Sequence, residues 1–434
     1  MKRLFVLLVL LFAATGARSQ GEMLTLQDAV DLAVENNRLI KLARNDADIA
    51  ANEYSLGNAG LLPTISMSAQ QSLSSFRSFS SGEGDETRLG TIQTLDVALN
   101  AGVTLFDGFG QFATYRRLES QMEQVELASE GTMEDVLADV VLAYYDLVRQ
   151  QEQIEVQREA IGISEERLRI AELRRDLGSA SELEVRRAQV DLNADRAALL
   201  RQEISLSSAK TSFSRLLARE GGFNFSVADT IYVRRDLNPD EIESIALRRN
   251  RSLAYARQAE ITADLSRAEE RADWLPTVRL QAGYALSDFT EEIGLPAARP
   301  PGLNYGLSAS WGIFDGFNRK RRIQNASIRL RNAQLLVEDA RTEILTRLEN
   351  AYQNYRNSLD LVDLERENLG LASFNVEVAL EQFRVGTITS VDLREVQSAM
   401  TSAELRFITA QFEAVSAETL LLYLSGTLSE QLGI

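Results

Sequence analysis

The chain has no cysteine, no histidine and only six prolines in 434 residues. Without thiolate or imidazole, Cys/His zinc sites, cysteine nucleophiles and histidine-based triads are all excluded. Disulfides are excluded too, and a lipoprotein signal would need a cysteine at its cleavage point. Few prolines, with 25 glycines, leave room for long uninterrupted helices. Hydrolysis by carboxylates alone survives on paper, but 63 acidic residues bring Asp/Glu pairs together by chance. No catalysis, metal or cofactor is expected.

Long apolar runs are scarce as well. Lys2 and Arg3 precede an apolar stretch, Leu4 to Phe12, followed by Ala17-Arg18-Ser19, which reads as a secretory signal over residues 1–19 with the mature chain starting near Gln20. That stretch is too short for a spanning helix, which needs about 20 residues. The whole chain carries -17 charges, and removing residues 1–19 takes away three basic residues and no acid. Such acidity argues against nucleic acid as a partner and against a polybasic membrane contact.

What is present is repetition. "ENNRLIKLAR" at 35–44 corresponds to "RRNRSLAYAR" at 248–257, and "LLPT" at 61–64 to "WLPT" at 274–277, both offset by 213. "FDGF" at 106–109 and 314–317, and "DLGSAS" at 176–181 with "RVGTIT" at 384–389, are offset by 208. Each copy opens with a helix-start signal, Thr25-Leu26-Gln27-Asp28 or Asn238-Pro239-Asp240-Glu241. In each, the helix is expected to run on to the Leu-Pro-Thr proline.

Beyond those prolines the period changes to two. Leu95, Val97, Leu99, Val103 and Leu105 alternate with Thr94, Asp96, Asn100, Gly102 and Thr104. The stretches 64–74, 277–286 and 304–313 alternate likewise, giving four strands of about 10 to 12 residues in two hairpins, the length that crosses a tilted bilayer. One face is Ser, Thr, Gly, Asn and Gln, as a wet lumen tolerates. Trp274, Phe106, Phe109, Trp311, Phe314 and Phe317 gather at the helix-side ends like an interfacial girdle. Four strands cannot close a barrel, and an open edge in lipid leaves backbone groups unpaired. The barrel is therefore expected to be shared between chains; eight strands from two chains and twelve from three both remain open on this ground.

From Gly108 to Gly178 and from Gly316 to Gly386 is 70 residues each time, and each stretch reads as one helix of about 100 Å. Seven-residue spacing runs through Ile323, Leu330, Val337 and Ile344, through Val185, Leu192, Leu199, Leu206 and Phe213, and through Leu393, Met400, Phe407, Ala414 and Leu421. The opening helix (26–58) and returning helix (181–218) together match one long helix, which places 219–237, with a β-like run Phe225 to Val233, at mid-height. Asp107 and Asp315 are placed to cap the long helices, and Gly108 and Gly316 to turn the chain from strand to helix. The reading divides the chain into a signal (1–19); repeat 1 (20–219), with a hairpin at 63–106 and helices at 108–177 and 181–218; a mid-height linker (220–237); and repeat 2 (238–434), with a hairpin at 276–314 and helices at 316–385 and 389–424.

This duplicated order resembles the TolC-like outer membrane efflux proteins over essentially the whole mature chain. The resemblance implies a mainly α fold with membrane β: a homotrimer sharing a twelve-stranded barrel, continuous with a helical barrel in the periplasm. It implies an exit channel in outer membrane lipid, carrying drugs or secreted proteins when a periplasmic adaptor and an inner-membrane pump engage it. It places adaptor contacts at Leu177, Gly178 and Ser179 and at Val385, Gly386 and Thr387. It places pore-entrance acids at Asp392 and Glu395, with Glu184 equivalent in the first repeat. One departure is Ile388, with Phe383 before it, where salt-bridged relatives have an arginine and a tyrosine. A trimeric surface adhesin or structural stalk is the alternative; strands in both halves argue against it.

Overall fold

Thr25 caps the first helix through a reciprocal pair: its hydroxyl accepts from the Asp28 amide at 3.2 Å, and Asp28 accepts from the Thr25 amide at 3.1 Å. In the second copy the Asn238 side chain caps the equivalent helix, with Pro239 in its first turn. The computed structural model describes residues 22–79, 87–219, 225–228, 230–291 and 301–434. The signal read at 1–19, the tips of both hairpins and part of the 220–237 linker lie outside those residues. The chain forms two compact units: Met1–Arg44, Ala128–Ala254 and Ala340–Ile434 in the first, Asn45–Leu127 and Tyr255–Asp339 in the second.

Each opening helix is broken once, where the sequence reading expected one rod to residue 58 or 273. Helices α1 (Leu26–Asn36) and α2 (Arg38–Glu53) are separated by Asn37. Asn37 leaves the helical region (ψ 131) and its Oδ1 accepts from the Leu39 amide at 2.8 Å and the Ile40 amide at 3.3 Å. The side chain thus restarts the helix that its own backbone ended. Its Nδ2 donates to Leu216 O at 2.7 Å, the last residue of the returning helix α4 (Glu182–Leu216). Asn250 repeats this between α5 (Pro239–Arg249) and α6 (Arg251–Ala272), accepting from Leu253 N at 3.1 Å and donating to Leu424 O at 2.9 Å. Each returning helix therefore ends where its opening helix breaks.

The core of the first unit surrounds that meeting point. Tyr144, Leu137, Val140 and Leu147, from the long helix α3 (Gly110–Asp176), are fully buried with Ala29, Val30, Phe213 and Leu217. Strand β1 (Glu22–Leu24) pairs in parallel with β4 (Phe225–Val227), and Tyr144 donates to Leu24 O at 3.0 Å. The sequence reading extended this strand to Val233 and missed β1. Three residues pair, and 230–237 have no regular structure; Glu418 instead accepts the Arg234 amide at 3.0 Å. Seam residues Val185, Leu192, Phe213, Leu330, Ile344, Leu393, Met400, Ala414 and Leu421 are buried, whereas Leu199, Leu206, Ile323, Val337 and Phe407 are half-buried. The remaining helices are α7 (Asn318–Val385), α8 (Ser390–Ser425) and the short α9 (Leu428–Gln431).

In the second unit, β2 (Thr64–Phe79), β3 (Thr87–Phe106), β5 (Thr277–Glu291) and β6 (Gly302–Ser310) form one antiparallel sheet in the order β2-β3-β5-β6. The hairpins superpose in register: Thr64 pairs with Gly102, and Thr277 with Ser310. Three strands are longer than the alternation suggested, because Ser/Thr-rich chain pairs through its backbone where no apolar face signals it. Strand β6 is shorter than expected. It stops at Ser310 because Gly312 O accepts from the Arg319 guanidinium and Trp311 Nε1 donates to Trp274 O at 3.1 Å. No helix among the described residues is long and apolar enough to cross a membrane.

Replacing Asn37 with Ala removes the one oxygen that caps two amides and the donor to Leu216 and should cost about 2 kcal/mol. Asn37→Asp, which keeps the acceptor, should cost less. Thermal unfolding followed by helical circular dichroism in detergent measures both.

Candidate functional site: helix tips and strand-to-helix junctions

At the first tip, Gly178 (φ +77) donates to Arg175 O at 2.8 Å, and Ser179 donates to Arg174 O through both its amide (2.8 Å) and its hydroxyl (3.0 Å). At the second, Gly386 (φ +82) donates to Phe383 O at 3.1 Å, and Thr387 bonds to Gln382 O through its amide (2.9 Å) and its hydroxyl (3.0 Å). The left-handed glycine reverses the chain while the last carbonyls of the helix stay bonded. Leu177 and Val385 are each 74% exposed, so both turns present an apolar side chain to solvent.

The proposed entrance acids have unequal surroundings. Asp392 forms a capping box with Thr389, accepting its amide at 2.9 Å and its hydroxyl at 2.7 Å. The bond from the Thr389 hydroxyl holds the Asp392 carboxyl below the usual aspartate range. Glu395 is exposed one turn further on the same face, and Glu184, half-buried, offers its amide to Ser181 Oγ at 3.2 Å.

Phe383 and Ile388 occupy one apolar cluster. Phe383 is fully buried against Ile170, Ala379 and Leu393, with Ile388 packed on it and Arg174 over its ring at 5.5 Å. Apolar contact fills the place that the resemblance gave to an arginine and a tyrosine.

Behind this cluster lies a polar network that sequence reasoning missed. Arg394 holds Asp195 with two bonds of 2.7 and 2.8 Å, Ser164 donates to Asp195 at 2.5 Å, and Gln397 Nε2 reaches Ser164 Oγ at 2.9 Å. Arg167, fully buried, donates to Asp191 at 2.5 Å. The Asp195 carboxylate keeps Arg394 more firmly protonated, whereas burial lowers Arg167. Three helices, α3, α4 and α8, meet through these side chains. Asp195 falls three residues after Leu192 and four before Leu199, an inward place in an otherwise apolar heptad. That charge in the seam was the available signal.

The two "FDGF" junctions in the second unit are alike in geometry. Asp107 Oδ2 accepts from the Gln111 amide and Asp315 Oδ2 from the Arg319 amide, both at 2.8 Å. The long helices start at Gly110 and Asn318, two residues later than expected, because Gly108 (φ +75), Phe109 (φ +70), Gly316 (φ +68) and Phe317 (φ +66) are all left-handed. Phe106 and Phe109 meet edge to face with centroids 5.4 Å apart, as do Phe314 and Phe317. The surroundings differ. A Cβ on Gly108 would lie 2.4 Å from Ala272 O and 2.8 Å from Leu275 Cβ, whereas the nearest neighbour of Gly316 is Asn318 Nδ2 at 3.8 Å. On the polar side of the sheet, a cleft of about 790 Å³ is lined by Ser66, Asn100, Thr104, Arg279, Gln281 and Ser308 among others.

The outer membrane efflux protein family matches residues 29–219 and 243–427, and the chain belongs to that family. It is similar to the outer membrane efflux protein BepC of Brucella suis, 20% identical over 422 residues, covering 97% of this chain and 89% of that one. It is similar to the alkaline protease secretion protein AprF of Pseudomonas aeruginosa, 23% identical over 426 residues, covering 95% and 86%. Its fold is that of the outer membrane protein VceC of Vibrio cholerae, with a TM-score of 0.76 at 16% identity over 92% of this chain and 96% of that one. The protein is an outer membrane channel of efflux or secretion type, and nothing supports the adhesin alternative.

Asp195→Ala leaves Arg394 and Ser164 without their acceptor and should cost about 3 kcal/mol. Hydrogen exchange should rise in 182–200 and 390–400 with 22–36 unchanged, which mass spectrometry of the full chain reads directly.

Proposed function

We propose that the chain acts as a homotrimer, an exit duct joined at its helix tips to a periplasmic adaptor and through it to an inner-membrane pump. Its cargo would belong to the two classes that its relatives' names carry, effluxed compounds for BepC and a secreted protein for AprF. The duct performs no catalysis; the pump supplies the energy. Leu177, Gly178, Ser179, Val385, Gly386 and Thr387 would meet the adaptor, and Asp392, Glu395 and Glu184 would line the entrance.

One observation carries this reading: the seam inside the chain predicts the seam between chains. Repeat 1 meets repeat 2 where β3 pairs with β5, with Asn100 opposite Gly283. Under the offsets of 208 and 213, Asn100 corresponds to Ser308 on β6 and Gly283 to Gln70 on β2. The free edge of β6 would therefore pair with the free edge of β2 in a neighbour, Ser308 opposite Gln70. The parity agrees, for both residues belong to the polar face. The glycines point the same way. Gly108 is jammed against Ala272 and Leu275, whose equivalents at offset 213 are Ala59 and Leu62, the same two residue types. Gly316 has space in the isolated chain for such a pair from a neighbour.

Cysteines at positions 70 and 308 should form intermolecular disulfides, since opposed residues lie about 4.5–5.5 Å apart. The natural chain has no cysteine to interfere. A covalent trimer on non-reducing electrophoresis is the expected result, and a Gln70/Ser310 pair, out of register, should link poorly. A well-expressed 70/308 pair that stays monomeric refutes the shared barrel. Gly316→Ala should abolish the trimer while leaving the secondary structure of the chain in place, whereas Gly108→Ala should disrupt the chain itself.

A further inference from the structure

The basic residues of this acidic chain are unevenly placed. From Gly316 to Val337 there are six, Arg319, Lys320, Arg321, Arg322, Arg329 and Arg331, and no acid until Glu338. The same holds on a smaller scale at the start of α3, where Arg116 and Arg117 precede the first acid, Glu119. Both long helices thus begin positive, directly after the exposed aromatic residues that end the strands.

Some of these cations are spent inside the chain. Arg322 bonds Glu270 at 2.8 Å and Asp273 at 2.5 Å, and Arg117 bonds Glu269 at 2.8 Å. Arg319 is buried, donates to Asp273 O at 3.1 Å and lies 5.1 Å from the Trp274 ring centroid. Arg321, Arg329 and Arg331 are exposed without an ion pair among the described residues, and so, nearest the strands, are Arg116 and Lys320. Each of these last two follows an exposed aromatic residue. Phe112 and Arg116 stand at i and i+4 on one face of α3, while the left-handed Phe109 and Phe317 precede their helices, seven and three residues before Arg116 and Lys320.

That face stays open when helices pack on both sides. Tyr115 stacks on Tyr54 at 4.7 Å on one flank of α3, and Thr114 bonds Glu269 of α6 at 2.8 Å on the other, yet Phe112 is 57% exposed. Lys320 occupies the place of Phe112 in the second repeat. A neighbouring chain docked as proposed above would therefore leave it exposed.

We propose that Arg116 and Lys320 form a cationic collar that binds the anionic headgroups of phospholipids at the periplasmic edge of the barrel. Phe109 and Phe317 sit at the interface, and the cations follow within two helical turns, about 5 to 10 Å further from the membrane centre. Past Arg116, the same face of α3 turns acidic at Glu119 and Glu123. Net acidity argues against a polybasic contact only for the chain as a whole; the field a headgroup meets is local, screened within about 10 Å. The proposal rests on the barrel reading given above.

The chain's two tryptophans, Trp274 and Trp311, lie 51% and 61% exposed at this level and report on it. The full-length protein is reconstituted in vesicles of phosphatidylcholine, with phosphatidylglycerol or phosphatidylcholine carrying brominated chains as the competing quencher. Brominated phosphatidylglycerol should be preferred by about fivefold per cation at low salt, less at 1 M. The R116Q/K320Q double variant should lose the preference, and Lys320→Arg should keep it. Equal quenching of the natural chain by both lipids, or a preference retained in the double variant, overturns the collar and leaves the barrel standing. No quenching by either lipid overturns both.

Discussion

A backbone amide or carbonyl left without a partner in hydrocarbon costs several kcal/mol, and most of this architecture follows from that cost. Four strands satisfy only their inner neighbours. The outer edges of β2 and β6 demand a partner of the same kind, and in the proposed trimer the chain's duplication would supply one with a matching register and face. An isolated chain would therefore be unfinished in the membrane even though its helical unit has a well-packed core of its own.

The duplication also shows which residues do structural work, because a requirement met twice is met by the same atoms. Asp107 and Asp315 each accept an amide four residues on, and Asn37 and Asn250 each end one helix, start the next and tie off a third. Where the copies differ, the setting differs. Gly108 is confined by its own chain while Gly316 faces open space, and Asp392 completes a capping box at a site where Glu184 leaves half of one.

Much of the fold was legible in the sequence because its signals are periodic and local. The seven-residue seams gave the helices, the alternation gave the strands, and glycine with aspartate marked the turns. The strand ends were not legible. Residues 75–79 and 87–92 pair through a backbone that has no apolar face to advertise it, so composition made them loop. The helix break was visible but unread: Asn37 and Asn250 both lie within the two repeats compared, and an isolated asparagine in a helical pattern looks tolerable until its side chain has three backbone partners. The tip network was hidden for another reason. Asp195 and Arg394 are 199 residues apart, and only packing of α8 on α4 brings them together. Outer membrane placement was legible, while the basic starts of the long helices are hidden by a total charge that averages over them.

If the seam between chains repeats the seam within one, as proposed, symmetry follows. The proposed ring of three chains would have six closely similar junctions, its walls near sixfold and lowered to threefold only where the repeats have diverged. Arg279 stands where the first repeat has Ser66, and Lys320 where it has Phe112. In the proposed ring, a molecule passing through would meet Arg279 three times on the polar face, whereas Lys320 and Phe112 would alternate on the outside. On that reading each hairpin would carry both edges of the seam, and the chain would be two bricks of one pattern rather than one.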